Sequence, residues 1–255
     1  MTLQIMVKKL YETICQGKER EEKHQTLEQT VRQGCASQRS LIIKNPLFND
    51  IWLPWAVNRL HQMSDGSYDE GACDHYGATL GSFATREYAW AIPSMEAVST
   101  ILTYKQNIVE VGSGQGYWAS LLRAAGGNVI AIDDGSEKGD RTCFTDIFYQ
   151  NGAKYLCERS GAKDAMLFIC WGRYDIGTAL TEFKGDYLAV VGEKSGCTWW
   201  PEGVDIGPDD NDEESQLSES RQEEWKCIQE VMIPRWDMIY DVLAIFQRNP
   251  VGPDS

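Results

Sequence analysis

Asn107-Ile-Val-Glu-Val-Gly-Ser-Gly-Gln-Gly116 is an apolar strand that runs into three alternating glycines and then into a helix over Tyr117 to Ala125. Glycines at such a junction let the backbone turn sharply and approach a ligand at distances that a side chain forbids. A bare strand-to-helix turn is the plain alternative, but three alternating glycines exceed what a turn requires.

The next strand, Val129 to Ile132, ends in Asp133-Asp134, seventeen residues after Gly116. In a parallel sheet this places a carboxylate beside the glycine turn. A carboxylate is an acceptor-only group able to take both hydroxyls of a ribose. Dinucleotide enzymes and methyltransferases both use that device. A dinucleotide fingerprint, G-x-G-x-x-G, wants its last glycine where this chain has Tyr117.

Outward from these two strands the alternation continues. It predicts a helix over 94–104, a short strand near Ile147 to Tyr149 and a helix around 152–160. A strand Met166 to Cys170, a helix near 175–183 and a strand Tyr187 to Val191 follow. Strand after helix after strand argues an α/β fold with a parallel sheet and helices on both faces. Residues 201–224 hold ten Asp or Glu and read as an acidic loop. The runs Trp225 to Ile233 and Tyr240 to Arg248 are joined too closely for a helical crossover, so they should pair antiparallel. Towards the N-terminus, residues 2–33 and 51–63 have helical spacing, and 64–81 reads as a loop or linker.

Glu110-Val-Gly-Ser-Gly-Gln-Gly116 resembles motif I, E/D-x-G-x-G-x-G, of the class I (Rossmann-like) S-adenosylmethionine-dependent methyltransferases. The resemblance covers residues 88–248. It implies a seven-stranded, mostly parallel sheet with helices on both faces and a reversed last strand. Residues 1–87 would form a helical N-terminal segment and substrate lid, and 88–255 the methyltransferase domain. The implied cofactor is S-adenosyl-L-methionine. Glu110 would face its methionine amino group, Gly112, Ser113, Gly114, Gly116 and Tyr117 would pass under it, and Asp133, with Asp134 beside it, would hold the ribose. Gln150 and Asn151 would reach the adenine, although Asn151-Gly152 reads equally as a solvated turn. Tyr88-Ala-Trp-Ala-Ile-Pro-Ser94 stands where many members fold residues over the cofactor, which brings in Tyr88, Trp90 and Pro93.

Motif IV of the family, D/N/S-P-P-Y/F in amino-methyltransferases, faces the transferred methyl group. Its place here is Trp171-Gly-Arg-Tyr-Asp175, after Cys170, with both prolines absent. Cys170 and Trp171 join the cofactor-binding candidates, and Tyr174 and Asp175 the catalytic ones. Methyl transfer from a sulfonium needs in-line placement and, for some acceptors, a base. Asp175, Glu193 and His75 are the candidate bases; each has an ordinary structural reading as helix cap, ion-paired loop residue or exposed linker residue. Trp52, Trp55, Trp90, Trp171, Trp199 and Trp200 are available to an apolar or planar pocket, or to the core.

The formal charge of -14 repels phosphate backbones, and no basic stripe compensates, so a small-molecule acceptor is expected rather than a long nucleic acid. Eight separated cysteines with no C-x-x-C pair read as reduced thiols, and three scattered histidines argue against a metal. No apolar run reaches a spanning length and Met1 to Leu10 lacks secretory features, so a cytoplasmic location with no membrane contact is expected. Two other functions share these glycines: a non-catalytic methyltransferase-like partner subunit and a nicotinamide-dependent oxidoreductase. The oligomeric state is left open.

Overall fold

The computed structural model describes residues 43–65, 80–136, 141–172, 176–194, 198, 200, 224–236 and 239–249. The expected helices within 2–33, most of the 64–81 linker, the acidic loop, His75, Trp199, Tyr174 and Asp175 lie outside the described residues.

Seven strands form one sheet: β1 (Asn107–Val111), β2 (Asn128–Asp133), β3 (Phe148–Tyr149), β4 (Met166–Cys170), β5 (Tyr187–Gly192), β6 (Trp225–Met232) and β7 (Val242–Arg248). Their spatial order is β3-β2-β1-β4-β5-β7-β6. β1 pairs in parallel with β2 and β4, β2 with β3, and β4 with β5, whereas β7 runs antiparallel to both neighbours. This is the seven-stranded, mostly parallel sheet with a reversed last strand that the motif's resemblance implies.

The helices are α1 (Leu53–Asp65), α2 (Leu80–Glu87), α3 (Met95–Tyr104), α4 (Tyr117–Ala124), α5 (Gly152–Glu158) and α6 (Ile176–Glu182). Strand residues alternate between two faces. Ile108, Phe168, Ala189 and Ile245 join the core under α3 and α4, while Val109, Leu167, Val190 and Ala244 join the core under α5 and α6. Ser94 starts α3, its hydroxyl accepting from the Ala97 N–H at 3.1 Å, a cap contributing about 1 kcal/mol.

Two differences from the sequence reading concern the N-terminal side. A π-helical turn, Leu47–Trp52, precedes α1, and Leu47 and Phe48 are buried in the α3–α4 core. Asn45, also buried, donates to the Pro93 carbonyl at 2.8 Å and accepts the Tyr117 hydroxyl at 2.8 Å. Residues 43–52 thus pack onto the sheet rather than standing apart from it. The second difference is α2, which begins inside the 64–81 stretch that reads as a linker and includes Gly81 and Ser82, poor helix formers. Burial of Ala84 in the same core holds it.

Candidate cofactor site

At the carboxyl end of β1 the chain turns through Gly112, Gly114 and Gly116 at φ +73°, +56° and +74°. These left-handed values are open to glycine and cost other residues about 1–2 kcal/mol. The three glycines do different work. A Cβ on Gly112 or Gly114 would meet no atom of the described residues within 4 Å, whereas one on Gly116 would press on the Thr145 side chain at 2.8 Å. The first two keep an open cleft over the turn, and the third lets the chain pack against residue 145 as it enters α4.

Asp133 closes the turn from β2. One carboxylate oxygen accepts the Gly114 N–H at 2.8 Å and the other the Gly135 N–H at 2.8 Å. A carboxylate offers about four acceptor positions over its two oxygens. Asp134 is more exposed; its carboxylate accepts the Ser136 N–H at 2.8 Å, and hydrogen bonding to Ser136 holds its pKa below the ordinary value.

Glu110, at the end of β1 and 1% exposed, lies under the same turn. Burial pushes its pKa up to about 8, against the attraction of Arg123 and a hydrogen bond from the Ala119 backbone, with Asp133 adding to the rise. Its Oε2 and the Ser113 hydroxyl are buried without a hydrogen-bond partner among the described residues. Buried polar atoms are nearly always paired, so two unpaired ones at one turn make it a candidate ligand site.

One cavity is lined by Tyr88, Trp90, Glu110, Gly112 to Gln115, Tyr117, Asp133, Asp134, Gln150, Asn151, Cys170 and Trp171. These are most of the residues that the sequence singled out. Gly116 is outside the lining, as its packing role requires. Pro93 is buried and engaged by Asn45 through its carbonyl, and is not brought to the cavity. Glu193 is not brought there either: it is 8% exposed, and its Oε1 accepts the Tyr240 N–H at 2.9 Å. Asn151 lines the cavity while its side chain caps α5, accepting the Lys154 N–H at 3.0 Å.

The aromatic wall is layered. Tyr88 stacks on Phe144 (5.5 Å, 22°), and Tyr117 stands edge-on to both, at 5.3 Å from Tyr88 and 4.8 Å from Phe144. At the β4 end Trp90 stacks on Trp171 (4.9 Å, 22°), and the Trp171 indole donates to the Asp241 carboxylate at 2.9 Å. Trp171 has φ +54°, rare for a bulky residue and of the kind that accumulates at functional sites. Burial, together with Glu110 and Asp241 nearby, pushes the Cys170 thiol well above its ordinary pKa, which suits a packing role.

Sequence reasoning missed Thr85, Arg141, Cys143 and Tyr149 in the lining, and Asp241 behind it. Residues 141–146 have no periodicity to read, and α2, which brings Thr85 to the lining, is tied to the turn by Gln115, whose side chain donates to the Arg86 carbonyl at 2.6 Å. Among the described residues no group of His, Cys, Asp and Glu is placed to hold a metal ion, and no helix is long and apolar enough to cross a membrane.

No family model matches the chain. No curated protein matches it either. Solved structures with a similar chain path include 1,6-didemethyltoxoflavin-N1-methyltransferase from Burkholderia thailandensis, with bound 1,6-didemethyltoxoflavin and S-adenosylhomocysteine, at 13% identity and TM-score 0.42 over 72% of this chain and 93% of that one. Magnesium protoporphyrin IX methyltransferase from Synechocystis, with bound S-adenosylmethionine, is similar at 11% identity and TM-score 0.40 over 69% and 95%. An rRNA methylase from Streptococcus thermophilus is similar at 12% identity and TM-score 0.37 over 61% and 93%. The strand order described above is read from this chain alone.

Proposed function

We propose that the chain is a class I methyltransferase that binds S-adenosyl-L-methionine in the cavity over Gly112 and Gly114 and transfers its methyl group to a nitrogen or oxygen of a small molecule. One observation carries the reading: an open glycine turn, the Asp133 carboxylate and the unpartnered Glu110 Oε2 all meet in one cavity.

The donor set fits this cofactor. Asp133, whose carboxylate lines the cavity beside the glycine turn, would accept the ribose hydroxyls. Glu110, once ionised, would receive the cationic amino group, and the bare backbone at 112 and 114 would let the chain lie against it. Gln150 and Asn151, at the end of β3, would border the adenine. Tyr117 stands where a dinucleotide site wants a third glycine, and it is buried with its hydroxyl held by Asn45, which weighs against a nicotinamide cofactor.

The cofactor brings the electrophilic methyl, so the protein's work is to align the acceptor, keep water out and take up a proton. Trp90 and Trp171 would form an apolar wall on the acceptor side. Tyr174 and Asp175 are proposed from their place after β4 as the residues facing the acceptor. The formal charge of -14 favours a small acceptor over a long nucleic acid. Incubating the full chain with methyl-labelled S-adenosylmethionine and fractionated small-molecule extract, with Asp133→Ala as control, tests the reading. Label should move to a small molecule only with the wild-type chain; label on RNA or protein, or none, would refute it.

A further inference from the structure

We propose that Asp241 is a positioning residue, which through Trp171 sets the aromatic wall of the cavity at the carboxyl end of β4. What the wall faces rests on the function proposed above; the wall itself does not.

β4 delivers Trp171 to the sheet edge, where its N–H donates to the Val191 carbonyl at 2.8 Å and its backbone turns left-handed at φ +54°. That conformation takes the indole out of the strand's alternation, and two contacts then fix it. The ring stacks on Trp90 at 4.9 Å and 22°, and the indole N–H donates to Asp241 Oδ1 at 2.9 Å. Trp90 belongs to the connection between α2 and α3, Trp171 to the end of β4, and Asp241 to the residue before β7. The Trp171 indole therefore joins three pieces of chain that are far apart in sequence, and the Asp241 carboxylate is its hydrogen-bond anchor.

Asp241 is 1% exposed and is not in the cavity lining, so it does not reach a ligand in the cavity. A carboxylate is a costly group to bury where a neutral side chain would pack as well. What it adds is a charge-assisted acceptor that holds the indole in one orientation. The charged and titratable groups facing it are Glu193 at the end of β5, Arg235 between β6 and β7, and the Cys170 thiol beside Trp171. Burial, with Glu193 opposing ionisation, raises the Asp241 carboxyl to about pKa 7, against the indole hydrogen bond and Arg235.

Two stacked indoles give an exciton couplet in the far-ultraviolet circular dichroism, which the difference spectra of Trp90→Phe and Trp171→Phe assign within a chain of nine tryptophans. Asp241→Ala should lose that couplet and weaken S-adenosylhomocysteine at least fivefold by calorimetry. Asp241→Asn keeps an acceptor oxygen without the charge, as the protonated carboxyl does, and should fall between the wild type and alanine in both. In the wild type the couplet should weaken to the Asp241→Asn level as pH falls through about 7, while in Asp241→Asn it should be flat, an arm that decides the matter if the alanine variant does not fold. An alanine variant with the wild-type couplet, an asparagine variant that loses as much as alanine, or a wild-type couplet flat with pH would each overturn the proposal. Absence of any S-adenosylhomocysteine binding by the wild type would refute the cofactor assignment instead, and the couplet would still decide the role of Asp241.

Discussion

Binding of S-adenosylmethionine should expel a proton from Glu110. In the free protein burial raises this carboxyl to about pKa 8, so it is mostly neutral at pH 7. An ammonium group set against the unpartnered Oε2 favours the ionised form and pulls the pKa down. Below pH 8, where the free protein holds the proton and the complex does not, affinity should rise roughly tenfold per pH unit, since one unit is about 1.36 kcal/mol. From pH 6 to pH 8 that is up to roughly 100-fold, flattening as pH 8 is approached. Calorimetry in buffers of differing ionisation enthalpy measures the released proton directly. Glu110→Gln, which cannot ionise, should bind more weakly and show neither slope nor buffer-dependent heat. Equal affinity at pH 6 and pH 8 in the wild type, with no buffer dependence, would refute the assignment of Glu110. The same shift bears on stability. A folded-state pKa raised above the ordinary 4.5 means that the native state holds a proton the unfolded state releases. The stability linked to Glu110 is thus fully present below about pH 4.5 and is lost as pH rises towards 8. Glu110→Gln should therefore raise the Tm of the ligand-free protein at pH 8 more than at pH 5.

Asp133→Ala should weaken S-adenosylhomocysteine tenfold or more, because hydrogen bonds to a charged group contribute about 1.5–3 kcal/mol each; unchanged affinity in a titration would remove Asp133 from the ribose site. Gly114→Val should block binding with the sheet retained, while Gly116→Ala should lower Tm more than Gly114→Ala, because of these two only a Cβ at 116 meets a described atom, at 2.8 Å; circular dichroism and binding measured together check both. Asn45→Ala strips a buried acceptor from the Tyr117 hydroxyl and the Phe48 N–H and a donor from Pro93, at about 1–3 kcal/mol per unpaired group. A Tm drop of several degrees would place residues 43–52 within the cooperative fold, and an unchanged melt would show a separable appendage.

The sheet was legible because its strands are short apolar runs bounded by glycine, aspartate or asparagine, a pattern set by local sequence. Met166 to Cys170 is an example: every residue but the last is buried, as for a central parallel strand. The glycine turn and Asp133 were legible for the same reason, since both lie at strand ends. Asp241 was not, because its meaning comes from a hydrogen bond to a residue 70 positions away. Gly116 reads as a ligand contact in the motif, yet its φ is needed for helix entry and its face is closed by Thr145. Glu193 looked available because a carboxylate after β5 stands at the ligand edge; the bend into β7 brings the Tyr240 N–H onto it instead. Asn45 and Phe48 precede the helix that the sequence predicts over 51–63, and only the packing shows that they close the core beside Tyr117.

The most direct test is calorimetric titration of the full chain at pH 8 with S-adenosylhomocysteine and, separately, with NAD, each repeated on Asp133→Ala. Saturable one-to-one binding of S-adenosylhomocysteine, weakened at least tenfold in the variant, with no heat from NAD, is the predicted result. Binding of NAD with none of S-adenosylhomocysteine, or binding of neither, would contradict the account.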